Sequence, residues 1–131
     1  MLTRCSGGCL LVLAAAAHAQ APDAPRAVVE EFRPLLVRAI DAPTGTAKGV
    51  LTGPLVQVIS SHFGTSAPIL VDVRTVARYA QPGCRRLQVL VWQEGVRLAP
   101  GEAPGRQSME FGINYCRDGL PPASLAVEGA R

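Results

Sequence analysis

The sequence predicts an α+β fold, with two N-terminal helices packed on one face of a three-stranded antiparallel meander that carries a cross-strand disulfide. Three observations support this reading. In residues 87–93 the odd positions Leu87, Val89 and Val91 are apolar, and in 107–115 the odd positions Met109, Phe111, Ile113 and Tyr115 are apolar against Ser108, Glu110, Gly112 and Asn114, the period of a half-buried strand. Pairing them antiparallel with Cys84 opposite Cys116 places Val89 against Phe111 and Val91 against Met109, apolar on apolar, and Arg86 against Asn114. Apolar residues upstream of these runs recur at helical rather than strand spacing.

The cysteine pair fixes the centre of this reading. Register and cysteine placement are independent, and both bring Cys84 and Cys116 face to face, where directly opposed antiparallel residues have the Cα separation a disulfide needs. Closing a loop of this length is worth roughly 3–4 kcal/mol in the chain-entropy description.

The chain has 131 residues and a formal net charge of +3, enough for one small domain. Residues 1–19 have the form of a secretory signal peptide: a basic Arg4, an apolar run from Cys9 to Ala17, and Ala17-His18-Ala19 as a small-x-small cleavage site. That run is too short to span a bilayer, so no stable membrane insertion is expected after cleavage. Export and a surviving cysteine pair agree on an oxidising compartment, periplasmic or secreted. The near-balanced charge argues against a nucleic-acid partner.

A single domain is expected over residues 20–122. Its first helix starts near Asp23 and Pro25 and carries the stripe Val28, Val29, Phe32, Leu35, Leu36 and Ile40, with Pro34 either kinking or breaking it near Phe32. Residues 44–50 read as a Gly/Thr-rich connector. A second helix follows, capped by Thr52, started by Pro54, striped by Leu55, Val58, Ile59 and Phe63, and stopped by Gly64. Residues 69–79 form the first strand, and Gln81-Pro82-Gly83 the turn. A longer or bulged turn keeps the faces in phase, with Ala80 near Cys84, Val73 near Val91 and Thr75 near Val89. Residues 123–131 are expected to be a disordered tail.

Little here supports catalysis. His62 is the only histidine left after signal cleavage, and it sits near a helix C-terminus, where the last carbonyls are its usual partners. Its neighbours Ser60 and Ser61 do not face it on a helix. Cys84, Cys116 and His62 fall short of a zinc ligand set, and no C-x-x-C redox motif is present. Asp72 and Glu110 could serve a glycosidase only if they flanked a cleft, and cross-strand pairing with arginines is their ordinary use. No catalytic residue, metal or cofactor is therefore expected.

Two features point to protein binding. The outer face of the sheet carries Leu90 and Trp92 among Arg74, Arg78 and Arg86, and Trp and Arg are enriched at interface hot spots. Either another protein covers Trp92 or the Pro121-Pro122 segment folds back over it. The loop 94–105 is longer than a hairpin needs, as contact loops often are. Trp92, Leu90, Arg74 and Arg78 are the expected protein-binding residues.

RYAQPGCRRLQVLVWQEGV, with FGINYCRDGLPP after it, resembles small exported proteins encoded among conjugative-transfer or type IV secretion genes. The resemblance implies an accessory role in an envelope or transfer assembly, with a secretion-system component or another envelope protein as partner. A small cell-wall-acting hydrolase and a secreted inhibitor-like module are the alternatives.

Overall fold

The computed structural model describes residues 25–129. The expected signal peptide (1–19), the leader after it and the last two residues of the expected tail lie outside the described residues.

The architecture corrects the three-stranded expectation. Five strands form one mixed sheet in the order β1-β2-β3-β4-β5, with β1 (Ala27–Val29), β2 (Thr46–Leu51), β3 (Ile69–Arg78), β4 (Cys84–Val96) and β5 (Gly105–Cys116). β1 runs parallel to β2, and every other neighbouring pair is antiparallel. Helix α1 (Arg33–Asp41) connects the parallel pair, and α2 (Pro54–His62) lies between β2 and β3.

The expected first helix is thus divided at its proline. Val28 and Val29 fit a helical stripe by spacing, but they are β-branched and pair with Val50 and Leu51 instead. α1 starts only where Pro34 occupies its first turn, a position that needs no N–H donor. The expected connector over 44–50 contains β2. Gly49 disguises that strand, and it is required there. A Cβ at Gly49 would lie 2.5 Å and 2.8 Å from the two terminal methyls of Leu35. The close approach lets α1 sit down on β2.

α1 buries Leu35, Leu36, Ala39 and Ile40 against Val29, Val71, Val73, Leu87 and Val89. All five sheet residues are odd-numbered, so odd positions of the regular ladders face α1 and even positions face away. Phe32 packs edge-on against Phe111, with ring centroids 6.0 Å apart.

The second helix does not share this face. It buries none of its side chains fully, and Leu55 and Val58, expected in its buried stripe, are 71% and 66% exposed. Leu35, Leu36, Ala39 and Ile40 of α1 already fill the centre of the apolar face, and α2 is held at the sheet end by polar bonds. Buried Gln93 donates to Ser60 Oγ (2.8 Å) and to the Ala67 carbonyl (2.9 Å), and Arg97 N–H donates to the Phe63 carbonyl. Gly53, not Thr52, is its N-cap; the Thr52 N–H is taken by the Val29 carbonyl at 2.8 Å. Gly64 does end the helix, with φ +64°.

The β4–β5 register is as expected: Cys84 opposes Cys116, Arg86 opposes Asn114, and Val89 opposes Phe111. The Cys84–Cys116 disulfide is formed, with Cα atoms 4.0 Å apart. Both cysteines are buried with Tyr79. The β3–β4 register differs from expectation by two residues, with Val73 opposite Val89 and Val71 opposite Val91. A bulge between Thr75 and Ala77 absorbs the phase change that the turn was expected to supply.

Residues 123–129, expected within a disordered tail, are held by backbone hydrogen bonds. Ala80 N–H donates to the Ala126 carbonyl, Glu128 N–H donates to the Arg78 carbonyl, and Val127 bridges Tyr79. The segment occupies the side of β3 that β2 leaves free beyond Thr46.

Candidate functional site

Among the described residues, no helix lies on the face of the sheet opposite α1. The composition of that face follows from the register of the even-numbered residues. One row crosses four strands as Val28, Val50, Leu70 and Trp92. The next row reads Lys48, Asp72, Leu90 and Glu110, and the one after it Thr46, Arg74, Gln88 and Gly112. An apolar ridge thus runs across the strands beside a charged band, with Leu90 projecting from the ridge into the band.

Arg26 joins the two. Its Nη1 donates to Asp72 Oδ1 at 2.8 Å and to the Gly49 and Val71 carbonyls at 3.2 Å each. The same guanidinium lies 5.0 Å from the Trp92 ring centroid. Both partners of the ion pair are partly exposed, so its strength is moderate. Its effect is to fix the indole and the Asp72 carboxylate in one arrangement while leaving Trp92 partly accessible.

The Pro121-Pro122 segment does not cover Trp92. It lies at the opposite end of the sheet, between Leu120, whose carbonyl accepts from Cys116 N–H, and Ala123, whose N–H donates to Gln81 Oε1. The group over the indole is Arg26.

Three of the four expected binding residues share this face. Trp92, Leu90 and Arg74 lie on adjacent rows. Arg78 does not join them: beyond the bulge it pairs with Arg85, an odd position of β4, and so turns to the other side. Arg86 stays on the open face, with Nη1 3.1 Å from Asn114 Oδ1. Sequence reasoning missed Arg26, Val28 and Val50 because β1 and β2 were not recognised as strands. Leu70 was legible: it is an even-position apolar residue in a strand whose odd positions already supply the core.

Trp92 also borders an apolar groove of about 360 Å³ at the sheet end. Phe63, Ile69, Val96, Leu98 and Met109 help to line it. Leu98 and Met109 are 60% and 58% exposed. The groove opens where β4 bulges between Gln93 and Val96. β4 therefore continues through part of the expected 94–105 loop, and the connection itself spans 97–104. Arg97 folds that connection by donating to the Glu102 carbonyl.

Asp72 and Glu110 stand on either side of Leu90 on one row, and Asp72 is engaged by Arg26. His62 stacks edge-on with Phe63, centroids 5.0 Å apart. Among the described residues no cluster of three His, Cys, Asp or Glu side chains could hold a metal ion, and no helix is long and apolar enough to cross a membrane.

No protein family, curated protein or solved structure matches this chain.

Proposed function

We propose that this chain is a non-enzymatic exported protein of the periplasm, an accessory module that docks another envelope protein through the open face of its sheet. The single observation that carries the reading is the apolar row Val28, Val50, Leu70 and Trp92 on a face that α1 does not cover. Val28 is 72% exposed, and a side chain of that kind gains by burial against a partner.

The charges around the row describe the partner. Arg26, Lys48, Arg74 and Arg86 outnumber Asp72 and Glu110 on this face. The complementary surface is an apolar ridge flanked by carboxylates. Trp92 is the anchor, because a large, partly desolvated aromatic held in place beforehand loses little freedom on binding. A component of a conjugative-transfer or secretion assembly fits this reading, supported by the resemblance of the 78–96 and 111–122 segments and by the signal-like N-terminus. The disulfide suits an oxidising compartment.

The test is recovery of the partner with tagged protein from the envelope of the native host, beside Trp92→Ala and Leu70→Asp. An envelope protein with an acidic, apolar-centred surface, recovered with wild type and lost with both variants, is the expected result. Equal recovery with all three proteins would overturn the reading.

A further inference from the structure

β5 is the long free edge of the sheet. Its 12 residues pair on one side with β4 and have no strand on the other among the described residues. The phase of the ladder decides what that edge presents. Cys84 and Cys116 oppose each other with Cα atoms 4.0 Å apart, the close spacing of a non-hydrogen-bonded pair. Odd residues of β5 therefore exchange hydrogen bonds with β4. Even residues Ser108, Glu110, Gly112 and Asn114 direct N–H and C=O outward. Cys116 conforms, since its N–H is taken by the Leu120 carbonyl outside the sheet. Folded proteins commonly blunt such an edge with proline, a bulge or a covering segment. Between Gln107 and Cys116 the ladder is regular and β5 has no proline.

We propose that β5 pairs antiparallel with β5 of a second copy of this chain, with Phe111 on the two-fold axis, to give one continuous ten-stranded sheet. Only pairings of even with even residues keep both faces in phase and join the outward groups. Within that set, charge selects the register. One that sets Glu110 opposite its own copy stacks two carboxylates. With Phe111 on the axis, Glu110 falls opposite Gly112 of the second copy and Ser108 opposite Asn114.

Gly112 is where the Arg86 guanidinium lies, so close that a Cβ there would collide with it. Arg86 is held in that place by Asn114 Oδ1 at 3.1 Å. Each Glu110 carboxylate thereby meets the Arg86 of the other copy, twice by symmetry. On the α1 face, Met109, 58% exposed in the single chain, comes opposite Ile113, and the two Phe111 rings adjoin. Four even-residue pairs supply about eight backbone hydrogen bonds. The dimer uses the sheet edge and leaves the Trp92 face open, so it stands or falls separately from the docking reading. Trp92→Ala is expected to leave it intact.

The experiment is sedimentation equilibrium of the oxidised protein from about 1 to 200 μM, with three variants. Wild type is expected at twice the chain mass at the upper end. Glu110→Pro removes an outward N–H without touching a β4 bond, so it should keep the fold by circular dichroism and weaken dimerisation at least tenfold. Glu110→Arg should weaken it similarly, and adding Arg86→Glu should restore it; this pair tests the contact even if the proline variant folds poorly. Phe111→Cys should give a covalent dimer under mild oxidation. A wild-type monomer throughout, a dimer indifferent to both Glu110 variants, or a dimer that Phe111→Cys fails to cross-link would overturn the proposal.

Discussion

Gly49→Ala tests how the helix meets the sheet. The new Cβ would lie 2.5 Å and 2.8 Å from Leu35 Cδ1 and Cδ2, and 3.1 Å from the Ala27 carbonyl oxygen. An ordinary carbon–carbon contact is about 3.5–4.0 Å, so Leu35 must retreat by about 1 Å. It has nowhere to go, because it is fully buried among Leu36, Val71 and Leu87. Overpacking of this kind costs about 1–3 kcal/mol. Replacing glycine in an ordinary strand conformation returns about 0.4–1 kcal/mol by restricting the unfolded chain. The net loss is about 1–2 kcal/mol, a fall in Tm of about 5–15 °C for a domain of this size. Thermal and urea unfolding followed by circular dichroism measure it. In a Leu35→Val background the same substitution should cost far less, a coupling of about 1 kcal/mol. A Gly49→Ala protein as stable as wild type, or equal penalties in the two backgrounds, would refute the close contact as the reason for glycine.

Further outcomes concern the groups that shape the open face and its ends. Arg26→Ala should cost about 1–2 kcal/mol, since it removes an ion pair and two carbonyl contacts at a partly exposed site, and should red-shift and broaden Trp92 fluorescence as the indole loses its cover. An unchanged emission spectrum would contradict the cation–π placement. Reducing the Cys84–Cys116 bridge, which spans 32 positions of sequence, should lower stability by about 3–4 kcal/mol in urea unfolding; a midpoint unaffected by reductant would mean the hairpin is held by other contacts. Gln93→Ala should release α2 from the sheet end. Amide exchange is expected to quicken across Pro54–His62 while Val71, Val73, Leu87 and Val89 stay protected; uniform acceleration would show that α2 and the core unfold together.

What the sequence made legible was the part governed by strict alternation. β5 alternates over a long run, β4 is apolar at the odd positions Leu87, Val89 and Val91, and two cysteines pin the register, so their pairing, the disulfide and the side occupied by Trp92 are read directly. β1 and β2 are not. The first has three residues, too few to show a period, and its two valines fit the helical spacing that continues into α1. The second carries Gly49, a poor strand former that only the distant Leu35 explains. Without those two strands the sequence predicts a three-stranded sheet and gives no reason to place Arg26 beside Trp92. The face assigned to Arg78 failed for a different reason. A single bulged residue, Val76, reverses the side on which the following residues project, and nothing in its own chemistry announces it.

The placement of α2 shows the limit of amphipathicity as a guide. Leu55, Val58, Ile59 and Phe63 form a stripe, but a stripe states what would gain from burial and not whether the domain has room for it. Here α1 takes the apolar face, and α2 is tethered through Gln93, Thr65 and Arg97.

The proposed function rests on an envelope protein docking on the Trp92 face. It is tested most directly by measuring the affinity of the recovered partner, purified, for wild type and for Trp92→Ala, with Arg78→Ala as a control from the other side of the bulge. At least a tenfold loss is expected for Trp92→Ala and no change for Arg78→Ala. Equal affinities for wild type and Trp92→Ala, or a loss confined to Arg78→Ala, would contradict it.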